Sequence, residues 1–348
     1  VGLSSNPYIK TLLYPSRRCR PYMTIAKLKE LKSLDDVARA CGVEFDFIEA
    51  YSSSQNQKSF FNVLKLPKHG RRRKGEYRIV FEAREQRLAA FHRSISMIVT
   101  NSAVFGEHVQ GFMKKRSTRT NAEKHLAAKV LLHADIKGFF DAITTEQVRN
   151  AFVTEGAAVR MADVLAKACT IDGLLRQGTR CSPTIANLIC FDMDQSFLRL
   201  AHSHNCVYTR YADDLTFSGD QVPSDDSVKE ILESRGFKLR DDQCYRQYRG
   251  RSQYVTGLTI ADPNQPRLPT RLKRRLRLMM YYIDKHGLAD HWRKVGVNDV
   301  IQEEAWLRGM LKYAGSIEPK LVNQWWQIFG EAWSNRTSYE PIPGNEEH

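Results

Sequence analysis

No apolar run in this 348-residue sequence approaches the roughly 20 residues needed to cross a bilayer, and its first residues do not resemble a secretory signal. It begins at Val1 rather than Met, so an initiator or short leader is expected ahead of it. Cysteine is sparse and unpatterned. The seven residues (Cys19, Cys41, Cys169, Cys181, Cys190, Cys206 and Cys244) form no CxxC or other ligand spacing. An odd count in a long chain also suits reduced, mostly packed thiols in a cytosolic protein better than a disulfide framework. There is no internal repeat. Acids are scarce relative to bases, 39 against 53, for a formal net charge of +14. Such an excess favours a polyanionic partner, nucleic acid before a membrane surface. The 42% of hydrophobic residues suffice for a sizeable core divided among two or three lobes.

Against this basic background two acids stand side by side in Tyr211-Ala212-Asp213-Asp214, within Cys206-Val-Tyr-Thr-Arg-Tyr-Ala-Asp-Asp-Leu-Thr-Phe-Ser218. β-Branched and aromatic residues on both sides predict strand, tight turn, strand, with the acids at the tip. Adjacent carboxylates repel, so pinning them in a turn costs free energy unless a cation neutralises them. A metal beside a phosphate backbone is the leading reading.

Helical spacing at Leu28, Leu31, Leu34, Val37 and Ala38, a stop at Gly42 and a second start near Phe45 predict a small helical N-terminal lobe. It is read as a packing extension of the main body rather than a helix-turn-helix. Phe60 to Pro67 and Tyr77 to Phe81 predict two strands joined by Lys68-His-Gly-Arg-Arg-Arg-Lys-Gly75, a loop open to phosphate contact or to plain solvation. Further on, Leu88 to Val99 reads as a helix, Val130 to Ile136 as a central strand ending at Asp135, and Gln147 to Glu155 and Val159 to Cys169 as helices. Pro183 to Arg199 reads as one apolar helix. Pro263, Pro266 and Pro269 mark a boundary. Beyond it the chain is expected to be all helical, with Thr270 as N-cap, Leu272, Leu276, Met279 and Ile283 on one face and Gly287 as stop. Arg271, Lys273, Arg274, Arg275 and Arg277 crowd the first half of that helix, against the sense of the helix dipole, which points to a polyanion. Val322, Trp325, Trp326, Phe329 and Trp333 form a stripe read as core.

Three segments converge on one chemistry. Asp135 closes an apolar strand in Asp135-Ile-Lys-Gly-Phe-Phe-Asp141 and could meet the Asp213-Asp214 turn across a sheet. Three such carboxylates can bridge two Mg²⁺ ions roughly 3.5–4 Å apart for phosphoryl transfer, one activating a hydroxyl and the other stabilising the leaving pyrophosphate. Asp141 is read as a surface or capping acid. Arg176-Gln-Gly-Thr-Arg-Cys-Ser-Pro183 is a glycine-containing loop before a helix, with Gln177 and Gly178 able to face a nucleotide or template. Arg78, on the second strand of the basic hairpin, is the candidate for a triphosphate.

Asp135–Asp141, Gln177–Pro183 and Tyr211–Asp214 resemble motifs A, B and C of reverse transcriptases, in order and suitably separated. Asn121-Ala-Glu-Lys-His125 matches the NAxxH motif, and Val255-Thr-Gly257 the VTG motif, of retron reverse transcriptases. The resemblance runs from about Phe60 to Ile260 and more loosely into Arg308-Gly-Met-Leu-Lys-Tyr313. It implies an α+β right-hand polymerase: an N-terminal helical extension at 1–58, fingers and an RRM-like palm with an antiparallel sheet at 59–262, and a helical, RNA-binding thumb at 263–348. Asp135, Asp213 and Asp214 become the metal ligands for two Mg²⁺ ions, with Mn²⁺ as a substitute. Phe140 falls at the aromatic gate against a ribose 2′-hydroxyl, and Ala212 beneath the primer terminus. Arg78, Phe140, Gln177 and Gly178 are the expected nucleotide-binding residues. Asn121, His125, Val255, Thr256, Gly257, Arg271, Arg274 and Arg275 are the expected RNA-binding residues. The implied activity is RNA-directed DNA synthesis from deoxynucleotides on a cognate structured non-coding RNA, primed from a guanosine 2′-hydroxyl. The product would be branched multicopy single-stranded DNA, made in the bacterial cytoplasm beside an effector protein of anti-phage defence.

Two departures accompany the match. The motif D lysine, thought to protonate pyrophosphate, is replaced by Gln243, which cannot act as a general acid, leaving Lys238 or Arg246 as substitutes. The proline usual after the R-x-I strand is also missing after Arg78-Ile-Val. The alternatives are a defence-associated reverse transcriptase outside the retrons and an RNA-binding scaffold with a vestigial site. A group II intron maturase fits less well.

Overall fold

The computed structural model describes residues 26–67, 75–240, 243–296 and 299–335. Expectations placed on residues 1–25 and on the basic loop with Arg71, Arg72, Arg73 and Lys74 lie outside the described residues. The rest is a mixed α+β molecule built as a right hand.

Leu28 and Leu31 lead into α1 (Leu34–Cys41), which Ser33 caps by accepting from the Asp36 N–H and Gly42 ends at φ 66°. After α2 (Phe45–Ser53), the buried Val37, Ile48 and Tyr51 join the same core as the central sheet. The N-terminal lobe is therefore a packing extension. The fingers hairpin pairs β1 (Phe61–Pro67) with β2 (Tyr77–Ala83) antiparallel, from Phe61 opposite Ala83 to Pro67 opposite Tyr77. Helix α3 (Gln86–Ser102) buries Leu88, Phe91, Ile95 and Val99 beneath it.

The palm follows. Short α4 (Thr118–Glu123) precedes β3 (Val130–Asp135), and α5 (Thr145–Thr154), α6 (Val159–Cys169), α7 (Ser182–Ile189) and α8 (Phe191–Ser203) lead to β4 (Val207–Tyr211) and β5 (Asp214–Gly219). Then come α9 (Asp225–Ser234), β6 (Tyr245–Tyr248) and a small hairpin of β7 (Tyr254–Val255) and β8 (Leu258–Thr259). The palm sheet runs β4-β5-β3-β6, antiparallel throughout. Strand alternation sorts its faces. Leu132, Ala134, Tyr208, Leu215 and Phe217 enter the large core against the palm helices, whereas Leu131 points the other way, into a second core.

That second core gathers Ala122, Leu131, Val255, Leu258 and Ile260 with the thumb helices α10 (Thr270–Val295), α11 (Val300–Ile317) and α12 (Pro319–Ser334). Val322, Trp325 and Phe329 are buried in it and Trp326 and Trp333 pack on it, so the aromatic stripe is core.

Three boundary expectations are corrected. The helix expected over Pro183–Arg199 is two helices that break at Cys190, with no glycine or proline to mark the break. The N-cap of α10 is Pro269, with Thr270 already inside the helix. Gly287 interrupts α10 at φ 76° and ψ 169°, but helical structure resumes beyond it to Gly296.

Candidate active site

The two acids sit where β4 turns into β5. Tyr211 pairs with Asp214, so Ala212 and Asp213 make the turn, and Ala212 adopts a left-handed φ of 59°. Asp214 lies directly opposite Asp135 in the antiparallel register, and the Asp213 carbonyl accepts from the Ile136 N–H at 3.0 Å. Sheet pairing therefore brings the ends of β3 and β5 together. Asp135 is buried and Asp214 exposed, with Asp213 between these extremes.

Arg240 was missed by sequence reasoning. Its Nη1 lies 3.0 Å from Asp135 Oδ1, and its N–H donates to the Asp135 carbonyl at 2.9 Å. Of the other basic side chains that could serve motif D, Arg246 is tied to Asp225 at 2.7 Å and to the Pro223 carbonyl, while Lys238 is exposed. Tyr245, on β6, stacks on His133 with ring centroids 5.1 Å apart. Partial burial and the negative charge of Asp214 and Asp135 raise its phenol pKa.

The turn is braced from behind. Arg210 is fully buried and forked onto Asp194, Nε to Oδ1 at 2.8 Å and Nη2 to Oδ2 at 2.6 Å. Its Nη1 donates to Asn187 Oδ1 at 2.9 Å and to the Ala212 carbonyl at 3.3 Å. Tyr208 donates its hydroxyl to Asp194 at 2.8 Å. Burial alone would lower the Arg210 pKa, but the Asp194 carboxylate more than offsets it and the guanidinium stays charged. Asn187 also donates to the Gly111 carbonyl at 3.1 Å. A Cβ on Gly111 would fall 2.3 Å from the Ala212 nitrogen, so only glycine allows this approach. None of these residues behind the turn was singled out from the sequence. A buried charge needs a partner, and the signal was an arginine in an apolar strand together with an aspartate in an apolar helix.

The expected nucleotide-side residues are fixed by neighbours in the fingers and palm. Phe140 is half-buried, its ring 5.2 Å from Phe139 and 6.0 Å from Phe112 by centroids. Gln177 and Gly178 dock on the fingers: the Phe81 N–H donates to the Gln177 carbonyl at 2.8 Å. Gly178 has φ 112°, and a Cβ there would come within 2.6 Å of the Phe81 carbonyl. Arg78 is exposed on the same strand. Asp141 holds Arg176 at 3.0 Å.

The expected RNA contacts divide. Arg271, Arg274 and Arg275 are exposed along α10, with Arg275 over the Trp306 ring at 4.6 Å. Gly257 is exposed at the tip of the β7–β8 hairpin and Thr256 half-buried beside it. Asn121, His125 and Val255 are buried, turned into the protein rather than towards its surface. His125 bonds Ser218 Oγ at 2.6 Å and Thr209 Oγ1 at 2.7 Å. Burial pushes its pKa down to about 3.

Whether the acids suit a metal can be judged from the donor set. Asp135, Asp213 and Asp214 offer hard carboxylate oxygens, the donors Mg²⁺ prefers, and the guanidinium against Asp135 shows where positive charge is favoured. Among the described residues, no three His, Cys, Asp or Glu side chains are gathered closely enough to hold an ion in this arrangement.

Comparison with known proteins gives a consistent assignment. The family described as "Reverse transcriptase (RNA-dependent DNA polymerase)" matches residues 66–244, just over half of the chain. The chain is similar to the retron Mx65 reverse transcriptase of Myxococcus xanthus, 29% identical over 82% of this chain and 68% of that protein. It is 35% identical to the retron Ec86 reverse transcriptase of Escherichia coli over 43% of this chain and 48% of that protein. It is 28% identical to the retron Mx162 reverse transcriptase of Myxococcus xanthus, over 73% of this chain and 59% of that protein.

Proposed function

The chain belongs to the reverse transcriptase family, of the retron type, and on that premise we propose that it copies a cognate structured non-coding RNA into branched multicopy single-stranded DNA. The observation that carries this reading is the register that sets Asp135 opposite Asp214, with Asp213 in the adjoining turn. Asp135, Asp213 and Asp214 would hold two Mg²⁺ ions, which would supply the charge that lowers the pKa of the attacking hydroxyl and stabilises the leaving pyrophosphate.

The chain's own residues do the rest. The buried Arg210–Asp194 pair and Gly111 fix the turn that presents two of the acids. Phe140, wedged between Phe139 and Phe112, stands as the sugar gate. The Gln177–Gly178 backbone ties the nucleotide-side loop to β2, the strand of Arg78. Arg271, Arg274 and Arg275, with the exposed Gly257 at the hairpin tip, form the RNA-facing surface. An effector protein and a role in anti-phage defence belong to the same proposal.

The test is primer extension. Purified protein with an RNA template annealed to a DNA primer, Mg²⁺ and deoxynucleotides is expected to extend the primer. Asp213→Asn combined with Asp214→Asn is expected to abolish extension and leave template–primer affinity intact. Synthesis retained by the double variant would overturn the metal-ligand assignment.

A further inference from the structure

The buried Ala122, His125 and Val255 of the NAxxH and VTG motifs lie where the catalytic sheet meets the thumb. On one side of segment 118–125, His125 uses both ring nitrogens, one donating and one accepting, on Ser218 of β5 and Thr209 of β4. These are the two strands whose turn carries Asp213 and Asp214. Thr209 and Ser218 share a sheet face with Asp214, since Thr209 pairs with Thr216, and Thr216 and Ser218 stand two and four residues along β5 from Asp214.

On its other side the same segment grips the thumb. Thr256 Oγ1 donates to the Thr118 carbonyl at 2.9 Å, holding the β7–β8 turn, where Thr256 itself adopts φ 46°. Arg119 Nη1 donates to the Ser316 carbonyl near the end of α11 at 3.0 Å. Ala122 is buried among Val255, Leu258 and residues of α10 to α12. A segment of eight residues is thus fastened to the catalytic strands at one end and to the thumb at the other.

We propose that segment 118–125 with the Thr256 turn is a joint that sets the thumb against the catalytic hairpin. His125, Val255 and Thr256 act in it as positioning residues. The proposal rests on the polymerase reading above and deepens it: nucleic acid seated on the thumb is brought into register with the acids through this joint.

Thr256→Val tests it best, because it removes the hydroxyl without changing shape or charge and so leaves the electrostatic part of RNA binding untouched. The probe is a labelled RNA template annealed to a DNA primer. Its Kd is expected to stay within about twofold of the unmodified protein. The kcat for deoxynucleotide addition is expected to fall about tenfold, with the Tm nearly unchanged. Thr256→Ser, which keeps the hydroxyl, should restore kcat. His125→Asn, which retains a single polar contact, should show the same split between kcat and Kd. A raised Kd with unchanged kcat would identify Thr256 as an RNA contact and overturn the proposal. So would an unchanged kcat in both variants, or a kcat not restored by serine. Absence of extension by the unmodified protein would instead sink the polymerase reading.

Discussion

Ala212 carries the conformational cost of the acidic turn. A left-handed backbone costs a residue with a Cβ about 1–2 kcal/mol, and glycine there would avoid it. The turn holds because its surroundings leave no alternative: Gly111 presses on the Ala212 nitrogen, Arg210 holds its carbonyl, and the sheet takes the Asp213 carbonyl. A small but rigid residue at this position keeps the acids in one place, which pre-organises the site. Phe140 is the residue proposed as the sugar gate. It is half-buried, so truncation costs less than the roughly 3–5 kcal/mol of a fully buried phenylalanine and the fold should survive. Phe140→Ala should raise ribonucleotide incorporation relative to deoxynucleotide about tenfold, equivalent to about 1.4 kcal/mol of lost discrimination. Competition assays with matched nucleotide pairs measure this directly. Unchanged discrimination would remove Phe140 from the gate.

Among the elements, the acidic hairpin was readable in advance because its signals are local. Strand periodicity and two adjacent acids lie within a few residues of one another, and the strand ending at Asp135 carries its own local pattern. The bracing behind the turn was not readable, because Asp194 and Arg210 are 16 residues apart and come together only through the packing of α8 on β4. The break between α7 and α8 was hidden for a similar reason. Cys190 bends at ordinary helical φ, and only tertiary packing selects the kink. His125 shows the limit of motif reading most clearly. Its motif placed it among the expected RNA-binding residues, whereas its ring is seated on two strands of the sheet. Its burial has a consequence in acid. The folded protein holds His125 neutral down to about pH 3, whereas the unfolded chain protonates it near the ordinary histidine value of 6.5. Between those values the unfolded state binds the extra proton, so His125 contributes stability above pH 6.5 that is lost as the pH falls. The loss approaches about 1.4 kcal/mol per pH unit. His125→Asn cannot take up that proton. Its Tm deficit relative to the unmodified protein, measured by thermal unfolding, should therefore narrow between pH 7 and pH 5. Parallel Tm curves over that range would show that His125 does not titrate on unfolding.

At the scale of the whole molecule, the positive charge and the acidic turn answer each other. A net charge of +14 would be a weak indication alone, but part of it is concentrated on the thumb. Arg271, Arg274, Leu278, Tyr281 and Lys285 are all exposed and fall on one stripe of α10, at spacings of three, seven, ten and fourteen residues from the first. Basic residues interleaved with a tyrosine form a surface that can neutralise phosphates and stack on a base, and Lys285 already lies over the Tyr281 ring at 5.9 Å. The same helix turns Leu276, Met280 and Ile283 into the second core, so the stripe is held rigidly and can be changed without disturbing packing. Arg274 is the cleaner site to reverse, since Arg275 also covers Trp306 and its loss would cost some packing. Arg274→Glu alone and together with Arg275→Glu should weaken binding of an RNA template–primer in that order. The slope of log affinity against log salt should flatten by about 0.7–0.9 for each phosphate that is no longer neutralised. A double variant that keeps both its affinity and its salt slope would remove α10 from the nucleic-acid surface. The path of RNA would then have to run over the fingers and the hairpin tip instead.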